Sequence, residues 1–486
     1  MAQISINNLT FAYEGSFDNI FENASFRFDT DWKLGFIGRN GRGKTTLLKL
    51  LMGQYEFSGQ ISSPIEFSYF PFEVNAPYRT TLNVLRELCK ELVEWRIERE
   101  LMLLEVDLSV LDRPFETLSM GERTKVLLAA LFERESNFLL IDEPTNHLDM
   151  RGRALLANWL NLKKGFLLVS HDRNFLDGCV DHVLSINKAN IEVQKGNFST
   201  WQHNTALRDS FELTQNETLK KDIERLNEAA KRTAQWSNVV ERSKKSAADS
   251  GYVGHKAAKM MQRSKATQSR IERAAEEKSK LLKNIERTDS LAVRPVTYFK
   301  DTLLYAGELS CAYENNAVFQ NVSFTVSRFD RIAIRGKNGS GKSSLIKLIL
   351  GEYIPFTGEL RIGSGLILSY VPQDTSFLTG SLKDFANRSQ IDESLFKAIL
   401  RKLDFSREQF EKDMRDFSAG QKKKTLIAKS LCEKAHLYIW DEPLNYVDVL
   451  SRIQIEDLLL EHKPTMLFVE HDSAFMDNVA TKIIDM

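Results

Sequence analysis

Neither sign of charge prevails in this chain of 486 residues, because Lys plus Arg and Asp plus Glu both number 66. The field of the whole molecule therefore cannot hold a polyanion, and any affinity for nucleic acid must come from a local patch. Cysteine is scarce. Cys89, Cys179, Cys311 and Cys432 are too far apart for a zinc site or a dense disulfide framework and read as reduced thiols. No apolar run approaches the roughly 18 residues of a membrane span. The opening MAQISINNLTFAY alternates like a strand and lacks the basic and apolar blocks of a secretory signal. These absences point to a soluble, cytoplasmic protein.

What is present is a repeat. The chain is too long for one hydrophobic core, and LTFAYEGS at 9–16 returns as LSCAYENN at 309–316. GRNGRGKTT (38–46) returns as GKNGSGKSS (336–344), LSMGER (118–123) as FSAGQK (417–422), LLIDEPTNHLD (139–149) as YIWDEPLNYVD (438–448), and VSHD (169–172) as VEHD (469–472). Ser119 to Asp142 and Ser418 to Asp441 are both 23 residues, a match that unrelated motifs would not produce. The chain thus reads as two homologous domains, 1–205 and 296–486, joined by 206–295. Short apolar runs such as LGFIG, NFLLID and GFLLVS alternate with helical patterns, as in a buried, largely parallel α/β sheet.

Both GRNGRGKT and GKNGSGKS fit G-x-x-x-x-G-K-[ST], each after a strand-like run and before a helix-like one. The expected phosphate contacts are Gly38, Arg39, Asn40, Gly41, Arg42, Gly43, Lys44, Thr45 and Thr46 in the first domain. Gly336, Lys337, Asn338, Gly339, Ser340, Gly341, Lys342, Ser343 and Ser344 are their counterparts in the second. The lysines would reach the terminal phosphates of a nucleotide, while Thr45 and Ser343 would ligate Mg2+. Apolar strands deliver Asp142-Glu143 and Asp441-Glu442 at their C-terminal ends. Asp142 and Asp441 suit the metal, Glu143 and Glu442 suit activation of water, and His171 and His471 suit contact with the γ-phosphate.

This motif set resembles the ATP-binding cassette family, with the LSMGER and FSAGQK signatures as the decisive element. The resemblance implies two P-loop domains clamped head to tail, each ATP lying between one cassette's phosphate loop and the other's signature. Ser418, Gly420 and Gln421 then face the first loop, and Ser119, Gly121 and Glu122 face the second. By the same resemblance Tyr13 and Tyr313 stack on adenine, Asp149 and Asp448 couple the two sites, and Gln373 of SYVPQD stands on the magnesium side. The corresponding SYFPFE places Phe72 where that glutamine belongs. Phe cannot bind a metal or its water, so the sites are expected to differ in rate while both retain hydrolysis.

The joining segment has a character of its own. Residues 219–288 carry 18 Lys or Arg against 9 Asp or Glu, and only Glu241 and Asp249 oppose ten basic residues between 231 and 270. Narrow apolar seams (Leu219, Ile223, Leu226, Ala230, then Met260 to Ile271) and the Gly-containing stretch 246–254 predict a long antiparallel α-helical hairpin with arms of roughly 35–40 residues. Lys244, Lys245, Tyr252, His255, Lys256, Lys259, Arg263 and Lys265 are the candidate RNA contacts. Two cassettes joined by a basic hairpin, with LIDEPTNHLD in the first, resemble the ABC-F translation factors, and the linker stretch GHKAAKMMQRSK looks most like the Lsa-type antibiotic-resistance proteins among them. The resemblance implies a monomer with an intramolecular cassette dimer, bound in the ribosomal E site with its hairpin on P-site tRNA and large-subunit rRNA. There it would dislodge lincosamides, pleuromutilins and streptogramin A. A housekeeping factor that relieves stalled ribosomes and the ATPase subunit of a drug exporter are the alternatives, the latter having no use for a basic hairpin.

Overall fold

The computed structural model describes residues 2–14, 19–72, 74–89, 92–133, 137–146, 148–186, 191–243, 266, 269–271, 293, 295–313, 316–337 and 339–486. The strands of the first cassette are β1 (Gln3–Phe11), β2 (Phe21–Asp29), β3 (Lys33–Gly38), β4 (Ser58–Ser62), β5 (Glu66–Phe70), β6 (Asn137–Asp142), β7 (Phe166–Val169), β8 (His182–Ile186) and β9 (Ile191–Lys195). They form an antiparallel sheet in the order β2-β1-β4 and a larger sheet in the order β5-β6-β7-β3-β8-β9, parallel except for β9, which runs antiparallel to β8. The second cassette repeats the plan with β10 (Thr302–Tyr313), β11 (Asn316–Ser327), β12 (Arg331–Arg335), β13 (Phe356–Ile362), β14 (Leu368–Val371), β15 (Leu437–Asp441), β16 (Met466–Val469) and β17 (Lys482–Asp485). Its sheets run β11-β10-β13 and β14-β15-β16-β12-β17.

The parallel strands are continuous apolar runs because both of their faces are covered: all four residues of β7 and of β16 are buried. In β1 the alternation slips where Asn8 takes a positive φ of 51° and the pairing with β2 shifts, so Ile4, Ile6, Leu9 and Phe11 all face inward. These side chains pack with Phe28, Phe36, Phe138 and Leu167 between the two sheets. Strand β3 lies between β7 and β8, with Phe36, Val169 and Asp142 level across the sheet. The phosphate loop, the acidic pair and the His171 loop therefore emerge side by side at one sheet edge. Cassette two matches this with Ile334, Val469 and Asp441.

By contacts the chain divides into two compact units, Met1–Ser199 with Thr288–Met486, and Thr200–Arg287. The outgoing helix, Phe198–Ser243, has 46 residues, about 70 Å of helix, and is longer than the expected arm. Its early start is local chemistry: the Asp177 carboxylate accepts from the Ser199 backbone N–H at 2.8 Å, and no Gly or Pro interrupts 198–243. Residues 269–271 are helical. The expected turn at 246–254, and with it Lys244, Lys245, Tyr252, His255, Lys256, Lys259, Arg263 and Lys265, lies outside the described residues. Among the described residues no helix is long and apolar enough to cross a membrane.

Candidate nucleotide sites

Each phosphate loop ends in a glycine that only glycine suits. Gly43 and Gly341 cap the helices Lys44–Leu51 and Lys342–Ile349 at φ of 87° and 91°, and a Cβ on either would lie 2.5 Å from Ile20 or Val318. The helix N-termini point unsatisfied amides into the loops, the ordinary basis of phosphate binding. Lys44 Nζ donates to Gly38 O at 2.7 Å and Arg39 O at 3.2 Å, and Lys342 Nζ to Lys337 O at 2.8 Å and Gly336 O at 3.0 Å. Both ammonium groups are held inside their loops. Asn338 lies outside the described residues.

The acidic pairs follow. Thr45 Oγ1 donates to Asp142 Oδ2 at 3.0 Å, and Ser343 hydrogen-bonds to Asp441. Burial raises the pKa of both aspartates, and Asp441 Oδ1 is buried without a partner among the described residues. Glu143 and Glu442 sit at positive φ of 52° and 46°, a costly backbone that recurs at active sites. His171 Nε2 lies 3.2 Å from Glu143 Oε1, and His471 Nε2 lies 3.4 Å from Glu442 Oε1.

The signatures are capping boxes. Ser119 and Ser418 accept from the backbone of Glu122 and Gln421 at 3.2 and 3.3 Å, and those side chains accept in return from the serine N–H at 2.7 and 2.9 Å. Each serine O–H stays available as a donor at a helix N-terminus. Across the cassettes, Asn40 Nδ2 of the first loop donates to Tyr446 O at 2.8 Å, and a Cβ on Gly420 would strike that carbonyl and lie 2.8 Å from Nδ2. At the second site one cavity of about 900 Å³ is lined by Ser119, Gly121 and Glu122 together with Gly339, Lys342, Gln373, Glu442 and His471. Both loops thus meet the opposite signature.

The two sites differ in detail. Glu442 Oε2 accepts from Gln373 Nε2 at 2.8 Å and Asn445 Nδ2 at 2.6 Å. Burial alone would raise its carboxyl, but the bonds from His471 and Gln373 outweigh burial and hold it below the ordinary value. Glu143 has no such amide. Both its oxygens are buried without a well-formed hydrogen bond among the described residues, and burial with the neighbouring Asp142 charge pushes it up to about 8. Phe72 instead lines a cavity of about 750 Å³ with Phe70, Pro71, Phe115 and Met120 beside Asp142 and Glu143.

Asp149 and Asp448, the aspartates expected to couple the two sites, diverge too. Asp448 is fully buried, bound by Lys424 Nζ at 2.7 Å and Ser451 N at 2.9 Å, and these contacts together with Lys44 override burial and depress its pKa. Asp149 caps its helix through Gly152 N at 2.8 Å and lines the larger cavity. Tyr13 Oη bonds Thr46 Oγ1 at 2.8 Å, with its ring edge-on to Phe11 and Tyr55 and 42% exposed; the Tyr313 side chain is outside the described set.

Sequence reasoning missed Tyr446, whose backbone carbonyl makes its contact, and Asp404, 3.5 Å from Arg42. It also missed the buried pair of Arg173 Nη2 and Glu456 Oε2, 2.5 Å apart across the cassettes. Asp404 had a usable signal. It and Glu105 occupy equivalent places in the repeat, both take positive φ, and Glu105 lines the second site.

Two composite nucleotide sites of this construction define a paired-cassette ATPase. The ABC transporter family model matches residues 21–146 and 319–445. ATP-binding protein Uup of Buchnera aphidicola is 27% identical over 99% of this chain and 80% of its own length. Ribosome protection protein VmlR of Bacillus subtilis is 28% identical over 98% and 85%. Among solved structures, the archaeal ribosome recycling factor aABCE1 in complex with stalk protein aP1 superposes with a TM-score of 0.64 at 20% identity, covering 98% of this chain and 87% of that one. The chain belongs to the ABC transporter family of ATP-binding cassettes, and within it is an ABC-F ATPase.

Proposed function

We propose that this ATPase is a ribosome-bound switch that uses the basic segment between its cassettes to displace antibiotics from the peptidyl-transferase region. The observation that carries the proposal is the 46-residue helix that leaves cassette one and runs into the stretch where ten basic residues face two acids. The likeness to a protein named for ribosome protection supports the same reading. The partners are the ribosomal E site, large-subunit rRNA and P-site tRNA, the location is the cytoplasm, and the drugs are lincosamides, pleuromutilins and streptogramin A.

At site two, Lys342 and the amides of its helix N-terminus bind the β- and γ-phosphates of ATP. Ser119 and Gly121 close on the γ-phosphate from the opposite cassette. Ser343, Asp441 and Gln373 would hold Mg2+; the partnerless Asp441 Oδ1 and the burial cost on its carboxylate fit a hard cation. That ion, when bound, offsets negative charge on the phosphate oxygens. Glu442 takes a proton from the attacking water as its oxygen bonds to the γ-phosphorus and the bond to the β–γ bridging oxygen breaks, leaving ADP and phosphate. Gln373, Asn445 and His471 keep that carboxylate ionised and aimed. Site one runs the same reaction through Glu143 more slowly, since a buried carboxyl held protonated is a poor base. ATP clamps the cassettes and favours ribosome binding; hydrolysis reopens them and releases the protein.

Drug susceptibility of a strain lacking the gene tests the proposal. Expression of the protein should raise the inhibitory concentration of lincosamides and pleuromutilins, and the Glu143→Gln, Glu442→Gln double variant should not. Unchanged susceptibility on expression would overturn the resistance role and favour the housekeeping one.

A further inference from the structure

The signature helix of cassette two carries a lysine that the ATPase motifs do not explain. Lys423 lies on the helix Ala419–Cys432 and is 3% exposed. Its Nζ donates to Pro372 O at 2.9 Å and to Asp441 O at 3.4 Å. Those carbonyls belong to the residues immediately before Gln373 and Glu442, whose side chains meet at 2.8 Å. One ammonium therefore ties together the two peptide units that launch the glutamine and the catalytic glutamate.

Cassette one has no such tie. The equivalent residue is Thr124, whose hydroxyl donates to Met120 O in its own helix at 3.0 Å. Thr124 and Phe72 both line the cavity of about 750 Å³ beside Glu143. The missing lysine and the missing glutamine occur in the same cassette, as expected if the lysine serves the glutamine. Keeping an ammonium buried is costly, because desolvation lowers its pKa against the pull of Glu470, Asp441 and Glu442. A well-packed aliphatic side chain would support the fold at less cost, so stability alone does not account for it.

We propose that Lys423 is a positioning residue for hydrolysis at site two, fixing Gln373 against Glu442, and that Thr124 leaves site one without this device. The inference rests on Glu442 and Glu143 being the two catalytic groups, and its test separates the two ideas. Lys423→Met and Lys423→Arg are placed in full-length protein carrying Glu143→Gln, where only site two turns over, and Lys423→Met also in protein carrying Glu442→Gln, where only site one does. With Glu143→Gln, Lys423→Met should lower kcat about tenfold with the KM for ATP unchanged, and Lys423→Arg, which keeps both hydrogen bonds, should restore most of the loss. With Glu442→Gln, Lys423→Met should change the rate by less than about twofold, a split that general destabilisation cannot produce. A loss below about threefold at site two, a loss shared by both backgrounds, or no rescue by arginine overturns the proposal. Should Lys423→Met fail to fold, Lys423→Gln, with a shorter donor, is judged by the same criteria. If the Glu143→Gln, Glu442→Gln double variant retains turnover, the catalytic assignment fails and Lys423 falls with it; if that variant is inert and Lys423→Met loses less than about threefold at site two, only Lys423 is refuted.

Discussion

Removing Arg173 should loosen the clamp between the cassettes. Arg173 lies on the helix Arg173–Cys179 of cassette one and Glu456 on the helix Val449–His462 of cassette two, with side chains 9% and 8% exposed. Glu456 Oε2 takes Arg173 Nη2 at 2.5 Å, and Oε1 takes Asn478 Nδ2 at 2.6 Å. The pseudo-symmetric positions are Ser473 and Ala157, so this ion pair is made once. Arg173→Met keeps the stem, removes the charge and strands a buried carboxylate, a loss of about 3–5 kcal/mol for a pair this enclosed. If the closed arrangement binds ATP, the apparent affinity for a non-hydrolysable analogue should fall by about a hundredfold or more. The Arg173→Met, Glu456→Met double variant strands no charge and should regain most of that loss. Nucleotide titration of an inter-cassette fluorescence distance measures both. Affinity within about twofold of wild type in the single variant would refute the assignment of this pair to the clamp.

Three further outcomes follow from local geometry. Gly420→Ala should lower turnover at site one about tenfold or more, measured in the Glu442→Gln background, because the new methyl collides with Tyr446 O and Asn40 across the interface. Phe72→Gln in that same background should raise site-one turnover a few fold by giving Glu143 the amide that Glu442 has, and an unchanged rate would show that the amide is not the difference. Glu100→Ala should destabilise the protein by about 3 kcal/mol in urea unfolding, since Trp159 Nε1 at 2.7 Å and Lys163 Nζ at 2.6 Å both lose their acceptor. Burial would raise the Glu100 carboxyl, but bonds from Lys163, Arg99 and Trp159 outweigh it and hold the pKa below its ordinary value. Its contribution is therefore complete above the unfolded value near 4.3 and is lost as pH falls through the lower folded value, so the gap between wild type and variant should narrow below about pH 4.

The sequence made legible whatever is carried by residue type at fixed spacing. The signatures at Ser119 and Ser418, the glycines before Lys44 and Lys342, and the strand-end pairs at Asp142 and Asp441 are of this kind, and the repeat sorted them from chance. The one-sided features were hidden because they depend on distant segments meeting. Tyr446 contributes a backbone carbonyl, which has no residue signature. Arg173 and Glu456 are 283 positions apart, and each alone looks like an ordinary helix-surface charge. Lys423 sits in a run of three lysines, of which Lys424 is equally buried, and only the carbonyls of Pro372 and Asp441 that its ammonium meets mark it out. Comparing the two repeats position by position shows where Phe72 replaces Gln373 and Thr124 replaces Lys423, but not that the two differences adjoin.

The central claim is that ATP drives this protein onto the ribosome, and a trapped variant tests it most directly. The Glu143→Gln, Glu442→Gln double variant should hold ATP without completing hydrolysis. Centrifuged through a sucrose cushion with ribosomes, it should co-sediment when ATP is present and stay in the supernatant with ADP. Failure to pellet with ribosomes under ATP, by a protein that binds ATP and is folded, would contradict the account.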